Sequence, residues 1–175
     1  MNKKLPNKVK NRLGSTKNAQ REVVVVLDNI RSTHNVGAIF RTCDAAGISR
    51  IFLAGVTPCP VDRFGRERAD IAKTALGAEK TILWEYCPET VTLIRRLKKD
   101  GYKIIAVEQD EKSEDYKKVK LKSKIVFVFG NEVAGVSKKV LKISDVIAEI
   151  PMMGQKESLN VSVSVGVALF RMLGV

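Results

Sequence analysis

The sequence predicts an α/β fold in which helices pack on a mostly parallel sheet. From residue 23 onwards, short β-branched runs alternate with stretches of helical periodicity, which is typical of parallel strands joined by crossover helices. The first run, residues 23–27, is apolar at every position, which indicates a strand buried on both faces. With 175 residues, 45% of them hydrophobic, the chain has enough apolar surface for one core.

Each predicted element follows from its own local pattern. β-Branched and aromatic runs predict strands at residues 23–27, 50–54, 81–84, 102–107, 125–129 and 146–150. Stretches of helical period between them predict helices at residues 35–46, 70–76, 89–99, 137–142 and 159–173. Two polar segments, residues 57–68 and 108–124, interrupt the alternation and are expected to be surface loops, with a helical turn at 113–118 as the alternative for part of the second.

The chain is strongly basic, which points to a polyanionic partner. Its 31 lysines and arginines against 19 acids give a net charge of +12. Such a positive field attracts RNA, DNA and anionic membranes alike, so charge alone leaves all three open. No run approaches the roughly 18 apolar residues of a spanning helix, and residues 1–21 lack the apolar core of a secretory signal. We expect a cytoplasmic protein.

Half of the net charge lies in the first 22 residues. They carry one acid, Glu22, against the cations Lys3, Lys4, Lys8, Lys10, Arg12, Lys17 and Arg21. Because this segment has too few apolar residues to contribute to a core, we expect a flexible N-terminal arm at residues 1–22, followed by one domain at 23–175. An RNA-binding arm and a solubilising tail are equally compatible with the composition.

The cysteines predict neither a disulfide framework nor a zinc site. Cys43, Cys59 and Cys87 are odd in number and lie 16 and 28 residues apart, unlike the close pairs that bind zinc. We expect ordinary reduced thiols and no metal.

The first candidate site segment is residues 27–41, where the buried first strand opens into a polar loop and then a helix. Strand ends of this kind are where α/β proteins place their sites. Asn35 and Arg41 are the candidates, and Arg41 lies among apolar residues, so it needs an anionic partner or an exposed position. The alternative is structural: Asn35 caps the helix, Arg41 pairs with Asp44 or another acid, and His34 is a loop polar group.

The second segment, residues 127–137, is a strand followed by a loop that contains glycine. Gly130 and Gly135 have the spacing of a phosphate-binding loop, but Val136 stands where such loops have lysine. Glu132 would also repel a phosphate held there. A nucleotide-hydrolysing enzyme is therefore disfavoured, and the absence of a GxGxxG sequence after the first strand gives no support to a dinucleotide site.

The third segment, residues 150–171, runs from a loop into a helix rich in small and β-branched residues. Small side chains at Ser162, Ser164, Gly166 and Ala168 allow close approach to other backbone. This pattern indicates either a crowded core helix or a subunit contact.

In this order, the three segments resemble the three motifs of the SpoU, or TrmH-like, branch of the SPOUT RNA methyltransferases. Residues 29–41 resemble the first motif, residues 129–135 with 150–152 the second, and residues 157–162 the third. Residues 61–66 and 71–78 also resemble the stretch between the first and second motifs. The resemblance covers most of the chain from residue 23 to residue 173.

The resemblance implies an α/β fold with a deep C-terminal trefoil knot that binds S-adenosylmethionine, and a homodimer with the last helix and the first helix at its interface. The residues that it implies for catalysis are Asn35, Arg41, Glu132, Ser158 and Asn160. Those that it implies for cofactor binding are Val107, Gly130, Asn131, Glu132, Ile150, Met152, Ser158, Leu159 and Asn160. For RNA binding, the expected residues are Arg31, Arg41, Arg63, Arg66, Arg68 and Lys73.

The implied reaction is methyl transfer to a ribose 2′-hydroxyl of tRNA or rRNA. Because arginine essentially never deprotonates in a protein, we expect Arg41 to stabilise the developing alkoxide rather than act as a base. Many members of the branch carry a separate N-terminal RNA-binding domain, whereas this chain has room only for a basic arm of 22 residues. RNA recognition is then expected to rely on this arm, on the lysine-rich stretch after Tyr116, on the second subunit and on Arg63, Arg66, Arg68 and Lys73. The alternative is a catalytically silent RNA-binding dimer of the same fold.

Overall fold

Seven strands form one sheet in the computed structural model, which describes residues 21–175. Almost all of the arm expected at residues 1–22 therefore lies outside the described residues. The sheet order is β3-β2-β1-β6-β4-β7-β5, and every neighbouring pair is parallel. The strands are β1 (Glu22–Asp28), β2 (Arg50–Ala54), β3 (Leu83–Cys87), β4 (Lys103–Val107), β5 (Glu114–Asp115), β6 (Lys124–Gly130) and β7 (Val146–Glu149). The helices are α1 (Thr33–Ala45), α2 (Ala69–Ala75), α3 (Ala78–Thr81), α4 (Thr90–Lys99), α5 (Lys138–Ile143) and α6 (Val161–Leu173). The predicted α/β class is confirmed.

The sheet is covered by helices on both faces, which explains why its central strands are apolar throughout. Alternate side chains of β1 belong to two separate cores. Val23, Val25 and Leu27 pack in the core that includes α1 and α6. Val24 and Val26 pack in the core that includes α4 and α5. Strand β1 pairs with β2 on one side and β6 on the other. Its carboxyl end therefore lies among the carboxyl ends of the inner strands.

Several predicted elements differ from the structure, among them α6, which begins at Val161 instead of residue 159. Residues 78–81 form the short helix α3, and the third strand begins at Leu83 instead of residue 81. Residues 114–115, expected to be loop or helical turn, form the edge strand β5 against β7. Helix α1 begins two residues earlier than predicted, and its cap is Ser32, whose side chain accepts a hydrogen bond from the Asn35 backbone N–H at 3.2 Å. The interpretation of Asn35 as the helix cap is therefore wrong.

Two further observations bear on the class of protein. Within residues 21–175, no helix is long and apolar enough to cross a membrane, and no group of three or more His, Cys, Asp or Glu side chains is placed to hold a metal ion. All three cysteines are free thiols. Cys43 is fully buried, and this burial raises the pKa of its thiol well above the ordinary value.

Candidate functional site

A cleft of about 210 Å³ lies where the carboxyl ends of β4, β6 and β7 meet the start of α6. This is the edge of a parallel sheet at which α/β proteins bind ligands. Of the nine residues predicted to bind a cofactor, eight line this cleft: Val107, Gly130, Asn131, Glu132, Ile150, Met152, Ser158 and Leu159. The ninth, Asn160, lies beside it. The structure thus brings together residues that are up to 52 positions apart in the sequence, from Val107 to Leu159.

The two glycines of the second motif form a tight turn under the cleft. Asn131 and Gly135 exchange backbone hydrogen bonds, N–H to O, at 3.0 and 2.9 Å. A Cβ atom on Gly130 would lie 2.1 Å from backbone atoms of Gly135 and Val136, so no larger residue fits. Gly135 has φ +66°, which favours glycine. The glycine spacing is therefore explained by the close approach of two backbone segments, with no need of a phosphate.

Glu132 joins the loop after β6 to the loop after β1. Its carboxylate accepts hydrogen bonds from the backbone N–H of Arg31 and of Ser32, both at 3.1 Å, and from Asn35 Nδ2 at 3.0 Å. Partial burial opposes ionisation of this carboxyl, but the hydrogen bonds from Arg31, Asn35 and Ser32 outweigh it, so the pKa of Glu132 lies below its ordinary value. Glu132 is an anion at neutral pH and holds the first motif against the second.

Asn160 continues this network into the third motif. Its Nδ2 donates to Asn35 Oδ1 at 3.2 Å, and its Oδ1 caps α6 by accepting from the backbone N–H of Ser162 at 2.9 Å. Asn35 therefore lies between Glu132 and Asn160, donating to one and accepting from the other. Ser158, the remaining polar residue of the third motif, lines the cleft. Four of the five predicted catalytic residues lie in or next to one site.

Arg41 is the fifth, and the structure leaves it exposed on α1. Within residues 21–175 it makes no hydrogen bond and no ion pair. The predicted alternative, in which Arg41 pairs with Asp44 or another acid, is therefore wrong for this part of the chain; Asp44 Oδ1 instead accepts from Thr81 Oγ1 at 2.9 Å. An unpaired guanidinium on the helix that carries Asn35 is available to an anion from outside the chain.

The residues predicted to bind RNA are exposed or half-buried, and some are paired with acids. Arg66 Nε donates to Asp62 at 2.9 Å, and Arg68 lies 3.6 Å from Asp70. Arg31, Arg63 and Lys73 have no acidic partner among residues 21–175. The segment that carries Arg63, Arg66 and Arg68 follows β2, so it starts from the same edge of the sheet as the cleft.

Sequence reasoning missed Glu108 and Gln109, which follow β4 and line the cleft. Glu108 Oε2 accepts from the backbone N–H of Val136 at 2.8 Å, and Gln109 Nε2 donates to the carbonyl of Glu157 at 2.7 Å. They connect the loop after β4 to the second and third motifs. The available signal was a carboxylate directly after a buried strand, but residues 108–124 as a whole have the composition of a surface loop.

The fold and the cleft define an α/β protein with a candidate ligand site at the carboxyl ends of its parallel strands, beside the polar cluster of Glu132, Asn35 and Asn160. Residues 22–170 match the SpoU rRNA Methylase family. The chain therefore belongs to this family.

Individual relatives agree with this assignment. A tRNA (guanosine(18)-2′-O)-methyltransferase from Aquifex aeolicus is 31% identical over 86% of this chain and 68% of its own length. A 23S rRNA (guanosine-2′-O-)-methyltransferase from Ralstonia nicotianae is 34% identical over 85% of this chain and 57% of its own length. The crystal structure of an AdoMet-bound rRNA methyltransferase from Sinorhizobium meliloti superposes with a TM-score of 0.78 at 29% identity, covering 90% of this chain and 59% of that one. The chain thus spans between about half and two thirds of the length of these three proteins.

These findings confirm the predicted family, the predicted methyltransferase class and S-adenosylmethionine as the cofactor. They do not favour the silent RNA-binding dimer that the sequence left open.

Proposed function

We propose that this protein transfers a methyl group from S-adenosylmethionine to a ribose 2′-hydroxyl of tRNA or rRNA. The observation that carries the proposal is the single site formed by all three motifs, in which the cleft adjoins the network of Glu132, Asn35 and Asn160. The relatives named above act on guanosine in tRNA and in 23S rRNA. Guanosine is therefore the nucleotide to test first.

The cleft fits the cofactor by the chemistry of its lining. Ile150, Met152 and Leu159 offer apolar surface to an adenine ring, while Ser158 and the strand-end backbone at Gly130 offer hydrogen bonds. When bound there, S-adenosylmethionine supplies the methyl group, whose bond to sulfur breaks as its bond to the ribose oxygen forms.

The polar network has a positioning role in this proposal. Glu132 fixes the loop that begins the first motif, and Asn35 and Asn160 hold each other, so the ribose is presented to the cleft in one geometry. The Arg41 guanidinium stabilises the negative charge that develops on the ribose oxygen as the hydroxyl proton passes to solvent water. The positive charge that attracts RNA comes from the arm at residues 1–22 and from five side chains of the domain: Arg31, Arg63, Arg66, Arg68 and Lys73.

The path of the chain supports a C-terminal knot. Strand β7 lies between β4 and β5 in the sheet. The connection from β5 to β6 crosses the face that carries α6, because Tyr116, Val119 and Leu121 pack in the same core as Val165. The chain leaving β7 must pass this connection to reach α6. We propose that residues 150–160 are threaded there, as in the trefoil knot of this family, within a methyltransferase domain at 23–175.

An exposed apolar strip on α6 supports a homodimer. Val163 and Phe170 are 48% and 40% exposed although the opposite side of the helix is buried against α1 and the sheet. A second copy that packs its own α1 and α6 there would cover this strip. Sedimentation at micromolar concentration tests this proposal, and a monomer would contradict it. We further propose that the enzyme acts in the cytoplasm, where its RNA substrates occur.

The experiment that tests the function incubates the full chain with labelled S-adenosylmethionine and, separately, total tRNA and ribosomal RNA. Digestion to nucleosides and mass analysis should then show 2′-O-methylguanosine in one pool. Arg41→Gln should abolish the label, whereas the matched control Tyr86→Ala, an exposed change on edge strand β3, should retain it. Label on a base, or no label despite cofactor binding by calorimetry, would contradict 2′-O-methylation of free RNA. Absence of cofactor binding would favour the silent RNA-binding dimer.

A further inference from the structure

Residues 61–67 form a tight hairpin that ends in an exposed aromatic side chain. Val61 and Glu67 pair as an antiparallel bridge. Asp62 Oδ1 accepts from the backbone N–H of Phe64 at 2.8 Å and of Arg66 at 2.9 Å, and Gly65 turns the chain with φ +78°. The backbone hydrogen bond from Arg66 is the main reason that the pKa of Asp62 lies below its ordinary value, and the one from Phe64 adds to it. The conformation of this loop is therefore defined by its own hydrogen bonds.

The tip of this hairpin combines one aromatic ring with two guanidinium groups. Phe64 is 67% exposed. The Cζ atoms of Arg63 and Arg66 lie 4.7 and 5.0 Å from its ring centroid, within the range of cation–π contacts. Asp62 fixes the guanidinium of Arg66, whereas Arg63 has no acidic partner among residues 21–175. Phe64 thus presents an aromatic ring to solvent with two guanidinium groups against it, a combination suited to stacking nucleic-acid bases.

The hairpin is attached to the elements that carry the candidate site. Thr57 Oγ1, at the start of the same loop, donates to the carbonyl of Leu27 at 3.0 Å and accepts from the N–H of Ile30 at 3.1 Å. At the other end of the loop, α2 packs on α1, and Thr74 Oγ1 donates to the carbonyl of His34 at 3.2 Å. Movement of the hairpin relative to the first motif is therefore restricted at both ends.

We propose that the hairpin at 61–67 binds one unstacked nucleotide of the RNA substrate, with its base stacked on the Phe64–guanidinium group and its phosphate paired with Arg63. This proposal rests on the proposed RNA methyltransferase function. Aromatic rings and guanidinium planes bind bases that are splayed out of a helix, and every base has a face to stack. A base inside a duplex is not accessible to such a platform, so the hairpin selects single-stranded nucleotides in loops or bulges.

The test measures the affinity of the full chain for a fluorescein-labelled 12-nucleotide oligouridine and for the corresponding uridine–adenosine duplex. Phe64→Ala should weaken binding of the single strand about 5- to 100-fold, which is the usual effect of losing one stacked base. It should leave duplex binding unchanged and should not alter the salt dependence. Arg63→Gln should instead reduce the slope of log K against log salt by about 0.7, as one phosphate contact is lost. Phe64→Trp should retain binding.

Two controls separate this proposal from structural and functional failure. Tyr86→Ala removes another exposed aromatic ring, outside the hairpin, and should bind both RNAs as the wild type does. Unchanged single-strand affinity in Phe64→Ala, or an equal loss for single strand and duplex, would overturn the proposal. If the wild type methylates RNA and Phe64→Ala binds normally, only the hairpin proposal fails. If Phe64→Ala loses single-strand binding while the wild type methylates no RNA pool, the hairpin proposal stands and the proposed function fails.

Discussion

Replacing Glu132 by glutamine tests whether this carboxylate holds the first two motifs together. One of its oxygens accepts from the backbone N–H of Ser32 and from Asn35 Nδ2, and the other accepts from the backbone N–H of Arg31. A glutamine has one carbonyl oxygen, so if it keeps the first two bonds, its NH₂ group faces the N–H of Arg31. The variant therefore loses one hydrogen bond, and the other two lose their charge assistance.

We expect Glu132→Gln to lower the free energy of unfolding by about 1–2 kcal/mol, since one hydrogen bond contributes about 0.5–1.5 kcal/mol net and exposure limits the charge term. For a chain of this length, the melting temperature should fall by roughly 2–8 °C. Methyl transfer should fall further than stability alone explains, because the backbone at Arg31 is no longer held and the bond from Asn35 loses its charge assistance. Urea unfolding at neutral pH and labelled methyl transfer measure the two effects. Equal stability and equal activity would refute the reasoning.

The pH dependence of stability tests whether the charge of Glu132 is responsible for the difference between wild type and Glu132→Gln. Because the pKa of Glu132 is lowered in the folded state, its contribution is fully present above the unfolded carboxyl pKa of about 4.3 and is lost as the pH falls through the folded-state value. The difference between wild type and variant should therefore be constant at neutral pH and shrink in acid. A difference that persists unchanged in acid would refute the assignment. Glu89→Gln is the matched control: Glu89 caps α4, accepting from the N–H of Val91 and Thr92, so it should lose stability without affecting the site.

Three further changes have defined outcomes. Gly130→Ala places a Cβ 2.1 Å from backbone atoms, so urea unfolding should show a loss of about 1–3 kcal/mol or more and calorimetry should show loss of cofactor binding; normal binding would contradict the cleft as the cofactor site. Arg41→Lys should change stability by less than about 0.5 kcal/mol because the side chain is exposed and unpaired, and it should retain part of the activity that Arg41→Gln loses; no retained activity, with cofactor and RNA binding intact, would count against a simple charge effect. Deleting residues 1–21 removes seven cations, so it should weaken RNA binding and make its affinity less dependent on salt concentration. Unchanged binding would identify this segment as a solubilising tail.

The parts of the fold that the sequence predicts well are those determined by local pattern. The apolar run at 23–27 predicts a strand buried on both faces, because only such a strand needs no polar side. Strand β5 could not be predicted in this way, since its two residues, Glu114 and Asp115, are polar and are defined only by pairing with β7. The early start of α1 was missed for a smaller reason: Ser32 is a good helix cap, but so is Asn35.

The candidate site shows the same division. Motif resemblance selects Glu132, yet its local sequence says only that it would repel a phosphate. Its hydrogen-bond partners lie about 100 residues away, so its role follows from the topology, which places the ends of β1 and β6 side by side. Glu108 was missed because its partner Val136 lies 28 residues away and follows a different strand. Contacts between strand ends depend on strand order, and local patterns do not determine strand order.

Substitutions of Asn160 can separate its role as the cap of α6 from its role in positioning Asn35, because its side-chain oxygen and nitrogen have different partners. Oδ1 caps α6 through Ser162, and Nδ2 donates to Asn35. Asn160→Ala removes both interactions and should cost about 1 kcal/mol of stability, the usual effect of losing a helix cap. Asn160→Asp keeps an acceptor for Ser162 and adds a favourable charge at the helix N-terminus, so stability should be retained.

An aspartate at position 160 cannot donate to Asn35, however. Its negative charge would also lie close to that of Glu132, because both side chains contact Asn35. Methyl transfer should therefore fall in both variants, while thermal unfolding separates them. If Asn160→Asp were as active as the wild type, the link between the first and third motifs would be a by-product of the helix cap, and Asn35 would be positioned by Glu132 alone.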